Sequence, residues 1–401
     1  MSFLEKIQGD QLKMGYKITR VFVDNHVKKK AIVKDFIEKS KPRKIIFTDQ
    51  AHVKEGLKTY PFDDGKRSVF LSQSKGRYFK TCPGMEKPYI CCNLGVLNII
   101  SNCPMSCSYC FLQFYLNSPV TTVYTDFSRV TSELKVTSKA HPEIFFRVTT
   151  GELSDSLALD RETGFSARLI EIFKDIPNAI LELKTKTSFV NHLLRLNHGG
   201  RTVISWSLNP QRVIDKEEKG TASLEKRITT ASKAQEAGYL LGFHFDPLIH
   251  YPQWEKDYEE TVKLLFEKVS PFRIAWISLG SLRFAPGMEE EIKRAHPSSK
   301  LPYGEMVVAS CGKKRYVKPI RLRLYQKMID WIKKYGGQDV LVYLCMETPE
   351  TWEKTMSFKP ESTAHLDFVF AESLHQRFEY LFTKKPLLND YLKGMEYKGL
   401  E

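Results

Sequence analysis

Three cysteines spaced Cys-x3-Cys-x2-Cys lie in the stretch Asn102-Cys103-Pro104-Met105-Ser106-Cys107-Ser108-Tyr109-Cys110. They directly follow the apolar run Leu94-Gly95-Val96-Leu97-Asn98-Ile99-Ile100. A strand ending in a short loop is expected there, with three thiolates aimed at one object. Thiolates are soft ligands that suit zinc and iron–sulfur clusters. Three of them leave one position of a four-iron cluster without a protein ligand. A structural zinc site needs a fourth ligand, and no Cys or His follows within the next 25 residues. Packed core thiols are the remaining alternative, because free cysteine is often buried. The spacing favours the cluster over both.

The rest of the chain bounds what this loop belongs to. With 401 residues, 42% of them hydrophobic, the chain has enough apolar material for a large core. Eight unevenly spaced cysteines without a signal peptide at the start predict a reducing cytoplasm. No stretch approaches the roughly 20 apolar residues of a membrane span, so no membrane partner is expected. The net charge is +14 and the isoelectric point is near 9.2, which favours polyanions through phosphate contacts and counterion release. Basic residues concentrate at Lys28-Lys29-Lys30, Lys41-Pro42-Arg43-Lys44 and Lys313-Lys314-Arg315, the last beside Tyr316.

From about residue 88 strand-length apolar runs alternate with amphipathic helical stretches. After the cysteine strand come runs at 144–148, 179–183, 203–208, 240–245 and 274–279. The stretch from Ser223 places Leu224, Ile228, Ala231 and Ala234 on one helix face, and Gly238 suits its C-terminal cap. Alternation of this kind implies βαβ units and a parallel sheet. The expected fold is α/β, a partial (β/α)6 barrel over 88–320. An N-terminal extension is expected over 1–87 and a C-terminal α/β extension over 321–401. Ligands of such folds bind at the C-terminal strand ends, which is where the cysteine loop begins.

The cysteine loop after a first barrel strand resembles the radical S-adenosylmethionine (SAM) superfamily. Further segments resemble its spore photoproduct lyase family, in order: Lys184-Thr185-Lys186, Ser207-Leu208-Asn209, Leu224-Glu225-Lys226-Arg227-Ile228, Ala237-Gly238-Tyr239 and Leu241-Gly242-Phe243. The resemblance covers roughly residues 68 to 320 and implies the radical SAM form of the barrel. It also implies a 4Fe-4S cluster on Cys103, Cys107 and Cys110, with SAM chelating the open iron. An electron passed to SAM then yields methionine and a 5′-deoxyadenosyl radical, chemistry that belongs to the cofactor. By the same resemblance, Gly151 and Glu152 meet the SAM amino group and Lys186 its carboxylate. Ser207 and Asn209 suit ribose or methionyl contacts, and Asp246 lies where the nucleoside is held. Tyr109 matches a tyrosine that flanks the last cluster cysteine. Arg315 and Tyr316, with Arg283, match a segment that holds damaged duplex DNA. The implied function is repair of a thymine photolesion, with flavodoxin or ferredoxin as electron donor.

One departure matters. The family carries a cysteine after the second strand that gives a hydrogen atom to the product radical, and the stretch Phe146–Ser156 has none. Phe111 also stands where a second tyrosine is expected. Cys311 is a candidate substitute donor, with a packed thiol as the plainer alternative. The altered donor region leaves open a radical SAM enzyme with another nucleic-acid or small-molecule substrate. A zinc-stabilised nucleic-acid-binding protein is the non-enzymatic alternative.

Overall fold

The apolar runs pack as strands of two main sheets in the computed structural model, which describes residues 17–49, 62–82, 88–356 and 358–393. In chain order the strands are β1 (Arg20–Asp24), β2 (Lys44–Thr48), β3 (Ser68–Ser72), β4 (Phe79–Thr81), β5 (Gly95–Leu97), β6 (Ile100–Ser101), β7 (Ser106–Cys107) and β8 (Thr121–Tyr124). There follow β9 (Phe146–Thr149), β10 (Ala179–Thr185), β11 (Thr202–Ser207), β12 (Glu218–Lys219), β13 (Leu240–Leu248) and β14 (Ile274–Ser281). Last come β15 (Arg283–Phe284), β16 (Val307–Val308), β17 (Lys314–Arg315) and β18 (Val342–Leu344).

The larger sheet has the order β18-β14-β13-β11-β10-β9-β5-β4 and curls into a partial barrel. Neighbours from β5 to β18 are parallel, and β4 closes the edge antiparallel to β5. The strands β11 and β14 are buried at every position, as parallel strands covered on both faces must be. Helices supply the outer cover. Phe165–Lys174 turns Phe165, Leu169, Ile170 and Phe173 inward. In Leu224–Glu236 the Ser223 hydroxyl caps the Lys226 N–H, and Gly238 takes φ 88° just past the C-terminus.

The concave face is polar at its centre. The Glu182 carboxylate of β10 accepts from Ser205 Oγ of β11 at 2.6 Å and Trp276 Nε1 of β14 at 3.0 Å. It also pairs with His244 Nε2 of β13 at 2.8 Å. Four strands therefore converge on one carboxylate. Burial raises Glu182, but the charge and hydrogen bond of His244 and the Ser205 hydroxyl outweigh it and hold the group at about 2.

The structure departs from the sequence expectations at the edges of the barrel. The apolar run 94–100 does not form one strand: β5 stays in the barrel, whereas β6 joins the second sheet, of order β2-β1-β3-β8-β6. The chain turns between them, with Asn98 N–H bonded to Tyr78 O at 2.8 Å. Strands β1, β2 and β3 thus share a sheet with β8 and β6, and β4 joins the barrel sheet, so the residues before 88 do not stand apart as an extension. Of that segment, 1–16, 50–61 and 83–87 lie outside the described residues. A seventh parallel strand, β18, comes from beyond residue 320 and pairs with β14 from Ile277↔Val342 to Leu279↔Leu344. An isolated antiparallel bridge between Ile90 and Glu347 ties the segment before β5 to the one after β18.

Candidate active site

The cysteine loop is held from several sides. Asn102 adopts φ 69°, a conformation that asparagine tolerates better than most residues. Its side chain accepts from Cys103 N–H at 2.7 Å and donates to Ser118 O at 2.9 Å. The buried Lys66 ammonium, from before the barrel, donates to Asn102 Oδ1 at 3.1 Å and Cys103 O at 2.9 Å. Farther along, β7 pairs antiparallel with β12, setting Cys107 opposite Glu218. Ser108 N–H donates to Glu217 O at 2.8 Å, and Cys110 N–H closes a turn onto Cys107 O at 3.1 Å.

All the cysteines are free thiols. Burial pushes Cys103 up to about 12 and Cys107 well upward, and charge on Cys110 would raise both further. A positively charged metal centre would reverse that penalty and stabilise thiolates. Three thiols on one clamped loop therefore fit a thiolate-ligated group.

Glu218 organises the floor beside the loop. Its carboxylate is fully buried and accepts from Arg227 Nη2 at 2.6 Å, Asn209 Nδ2 at 3.0 Å and the Tyr109 hydroxyl. Lys186 Nζ lies 3.5 Å away. Burial raises this carboxyl, yet Arg227, Lys186, Tyr109 and Asn209 overcome it and hold it at about 2. Arg227 also donates to Ser207 O at 2.8 Å and Ala222 O at 2.9 Å. A charge so placed is expensive to leave buried without its partner, at about 3–5 kcal/mol. Burial lifts the Tyr109 phenol well above its usual range, so it stays protonated.

A second charged group lies at the C-terminal strand ends. Arg283 Nη2 is 3.1 Å from Asp246 Oδ2 and 3.5 Å from Cys345 Sγ. Burial raises Asp246, but Arg283, Lys184 and a hydrogen bond with Cys345 bring it below the usual carboxylate value. Half-buried Glu152 stands in the field of Lys184, Asp246 and Arg283, and loss of water pushes its carboxyl up. A Cβ on Gly151 would lie 2.6 Å from Lys184 Cβ, and one on Gly280 would lie 2.5 Å from the Asp246 carboxyl carbon. Both glycines therefore make room for this charged group.

The sequence-expected residues fall into three settings. Cys103, Cys107, Cys110, Tyr109, Lys186 and Asn209 share the loop and its floor. Both ends of the Asn209 amide are engaged, its oxygen by the Tyr258 hydroxyl at 2.7 Å. Gly151, Glu152, Asp246 and Arg283 share the charged group, and Ser207 ends β11 between the two. Arg315 and Tyr316 face inward. Arg315 donates to Met346 O at 2.8 Å and sits 4.4 Å over the Tyr89 ring, while the Tyr316 hydroxyl accepts from His250 N–H at 3.1 Å. Both side chains are buried and are therefore not surface groups, whereas the neighbouring Lys314 pairs with Glu289.

One group of exposed aromatics adjoins the cysteine loop. Phe111, Phe114 and Tyr115 follow the last loop cysteine and are 39%, 45% and 59% exposed. Phe114 reaches Gly287, at the head of the helix Met288–Ala295. Tyr303 is 64% exposed, with Lys293 and Lys300 at 5.5 and 5.9 Å from its ring. Sequence reasoning missed this surface, as it missed Lys66, Glu218 and Arg227 as parts of the site. The adjoining Phe111–Tyr115 run was its one legible signal.

The family model "Spore photoproduct lyase" matches residues 91–343. The spore photoproduct lyase of Clostridium acetobutylicum is 29% identical over 244 residues, 60% of this chain and 70% of that protein. That of Bacillus subtilis is 31% identical over 212 residues, 51% of this chain and 61% of that protein. A solved spore photoproduct lyase complexed with dinucleoside spore photoproduct aligns with a TM-score of 0.72 at 22% identity, over 81% of this chain and 98% of that one. A variant with bound AdoMet and the same dinucleoside gives 0.72 at 22% identity, over 82% and 98%. These likenesses establish the shared partial-barrel fold. Because the family model spans the barrel from the approach to its first strand to within its seventh, the chain belongs to the spore photoproduct lyase family.

Proposed function

We infer that this chain is a radical SAM lyase that repairs a thymine photolesion in DNA. The observation that carries the inference is the clamped three-thiol loop at the mouth of a partial barrel, in a member of this family. Cys103, Cys107 and Cys110 would hold a 4Fe-4S cluster, which with SAM supplies a 5′-deoxyadenosyl radical.

The chain's own residues position and shield that chemistry. Glu152 is suited to the SAM ammonium, since an incoming cation draws a raised carboxyl back to its ionised form. Lys186 offers its ammonium to the SAM carboxylate from the loop floor, with Glu218 fixing its position. Ser207 and Asp246 line the strand ends where the ribose and nucleoside would lie. Asn209 orients the floor by tying Glu218 to Tyr258, and Tyr109 keeps its phenolic hydrogen beside the cluster loop.

DNA is the proposed partner. The exposed Phe111, Phe114, Tyr115 and Tyr303 offer ring faces for unstacked bases, and Lys293 and Lys300 offer charge for phosphates. Arg283 sits deeper, where only an extruded lesion would reach it. The one-electron supply is assigned to a flavodoxin or ferredoxin. The free thiols fit a reducing cytoplasm, and no described helix is long and apolar enough to cross a membrane.

Anaerobic reconstitution tests the reading. The protein should bind iron and, with SAM and dithionite, release 5′-deoxyadenosine, and Cys107→Ala should lose both. Copurifying zinc with no iron uptake would overturn it.

A further inference from the structure

Cleavage of a photoproduct through a carbon radical leaves one product carbon short of a hydrogen atom, and Phe146–Ser156 holds no thiol to supply it. We propose that Cys345 is the hydrogen-atom donor. The proposal rests on the lyase reading above.

Position is the first argument. Cys345 directly follows β18, and its N–H continues the ladder to Leu279 O at 2.8 Å. It therefore stands at the same end of the barrel as Gly151, Glu152 and the cysteine loop. Its sulfur is bound into the charged group there: Arg283 Nη2 donates to it from 3.5 Å and also reaches Asp246 Oδ2 at 3.1 Å. The thiol is in turn hydrogen-bonded with the Asp246 carboxylate. Glu152 shares the field of Asp246 and Arg283. The thiol and the strand end expected to meet SAM thus belong to one group of side chains.

The state of the sulfur is the second argument. A thiolate has no hydrogen atom to give. Burial and the Asp246 carboxylate push Cys345 well up, against Arg283, so its S–H is retained. The other thiols outside the loop are less suited. The Tyr89 hydroxyl, the Lys313 N–H and Arg315 favour the Cys311 thiolate against burial, in the turn between β16 and β17. The hydrogen bond from Cys91, aided by Arg147, holds Cys92 at about 7 despite its burial. Cys82, Cys91 and Cys92 belong to the segment before β5, and Cys82 and Cys92 lie within electrostatic reach of Cys345, but it is Cys345 that bonds to Arg283 and Asp246.

The step balances without a further reagent. The carbon radical takes a hydrogen atom from Cys345, one C–H bond forms, one S–H bond breaks, and the unpaired electron remains on sulfur. Serine cannot replace it, because its O–H bond is much stronger than S–H.

The test is a single turnover in D2O with dinucleoside spore photoproduct, SAM and dithionite on the reconstituted enzyme. Thiol hydrogens exchange with solvent, so the repaired thymine should carry one solvent deuterium. Cys345→Ser, which keeps polar contacts to Asp246 and Arg283, and Cys345→Ala should lose that deuterium while still binding iron and releasing 5′-deoxyadenosine. Cys311→Ala should retain it. Deuterium transfer that survives both Cys345 variants, or that disappears with Cys311→Ala alone, overturns the donor and leaves the lyase reading intact. Failure of the unmodified enzyme to release 5′-deoxyadenosine overturns both.

Discussion

Buried single charges decide much about this molecule. Glu182 receives hydrogen bonds from two other strands and pairs with His244 on a third, and it is held at about 2, below the ordinary carboxylate value of about 4.5. Its folded-state pKa is depressed, so its contribution is fully present above the unfolded value and is lost as pH falls from about 4.5 toward about 2. A shift of that size corresponds to about 3 kcal/mol. Urea unfolding of Glu182→Gln should show a deficit of that order at pH 7 that narrows below pH 4.5. A deficit independent of pH would assign Glu182 a packing role only.

Single residues also mark where the sequence falls short. Glu218 sits in Asp215-Lys216-Glu217-Glu218-Lys219, which reads as a solvated charged run. Nothing local distinguishes the one carboxylate that folds against Tyr109 and Arg227. Arg315 and Tyr316 were legible as a basic-aromatic pair, but a two-residue strand has no pattern from which its inward face can be read.

At the scale of elements, apolar runs were legible as strands, but which sheet a short one joins was not. The runs at 240–245 and 274–279 are apolar apart from His244 and Ser278 and became β13 and β14, because parallel strands are buried on both faces. β18 has only Val342, Tyr343 and Leu344, and what makes it a barrel strand is its distant pairing with β14. Lys66 is another long-range partner, binding a loop 37 residues away. Lys66→Met should remove two hydrogen bonds from a charged donor, each worth about 1.5–3 kcal/mol. The loop should then hold its iron poorly, which the half-life of iron release to a chelator will show. Unchanged retention would mean that β7 and β12 hold the loop without the lysine.

At the scale of the whole molecule, a net charge of +14 favours polyanions, and the proposed docking face for a lesion-bearing duplex is the exposed aromatic surface. Stacking on an exposed ring is worth about 1–3 kcal/mol per base. Tyr303→Ala should therefore weaken binding to lesion-bearing duplex by that amount at fixed salt, read by fluorescence anisotropy. Turnover of the free dinucleoside should not change, since it needs only the barrel mouth. Equal losses on both substrates would place Tyr303 inside the reaction site and not on the DNA surface.

A clamped cysteine loop, a barrel mouth and an exposed aromatic surface come together in one chain. The proposed repair is tested most directly by giving the reconstituted protein SAM, a reductant and duplex DNA that carries spore photoproduct, then quantifying the DNA products. Loss of the photoproduct with two thymines recovered for each lesion, dependent on SAM, is expected. Release of 5′-deoxyadenosine from SAM with the lesion left intact would contradict it.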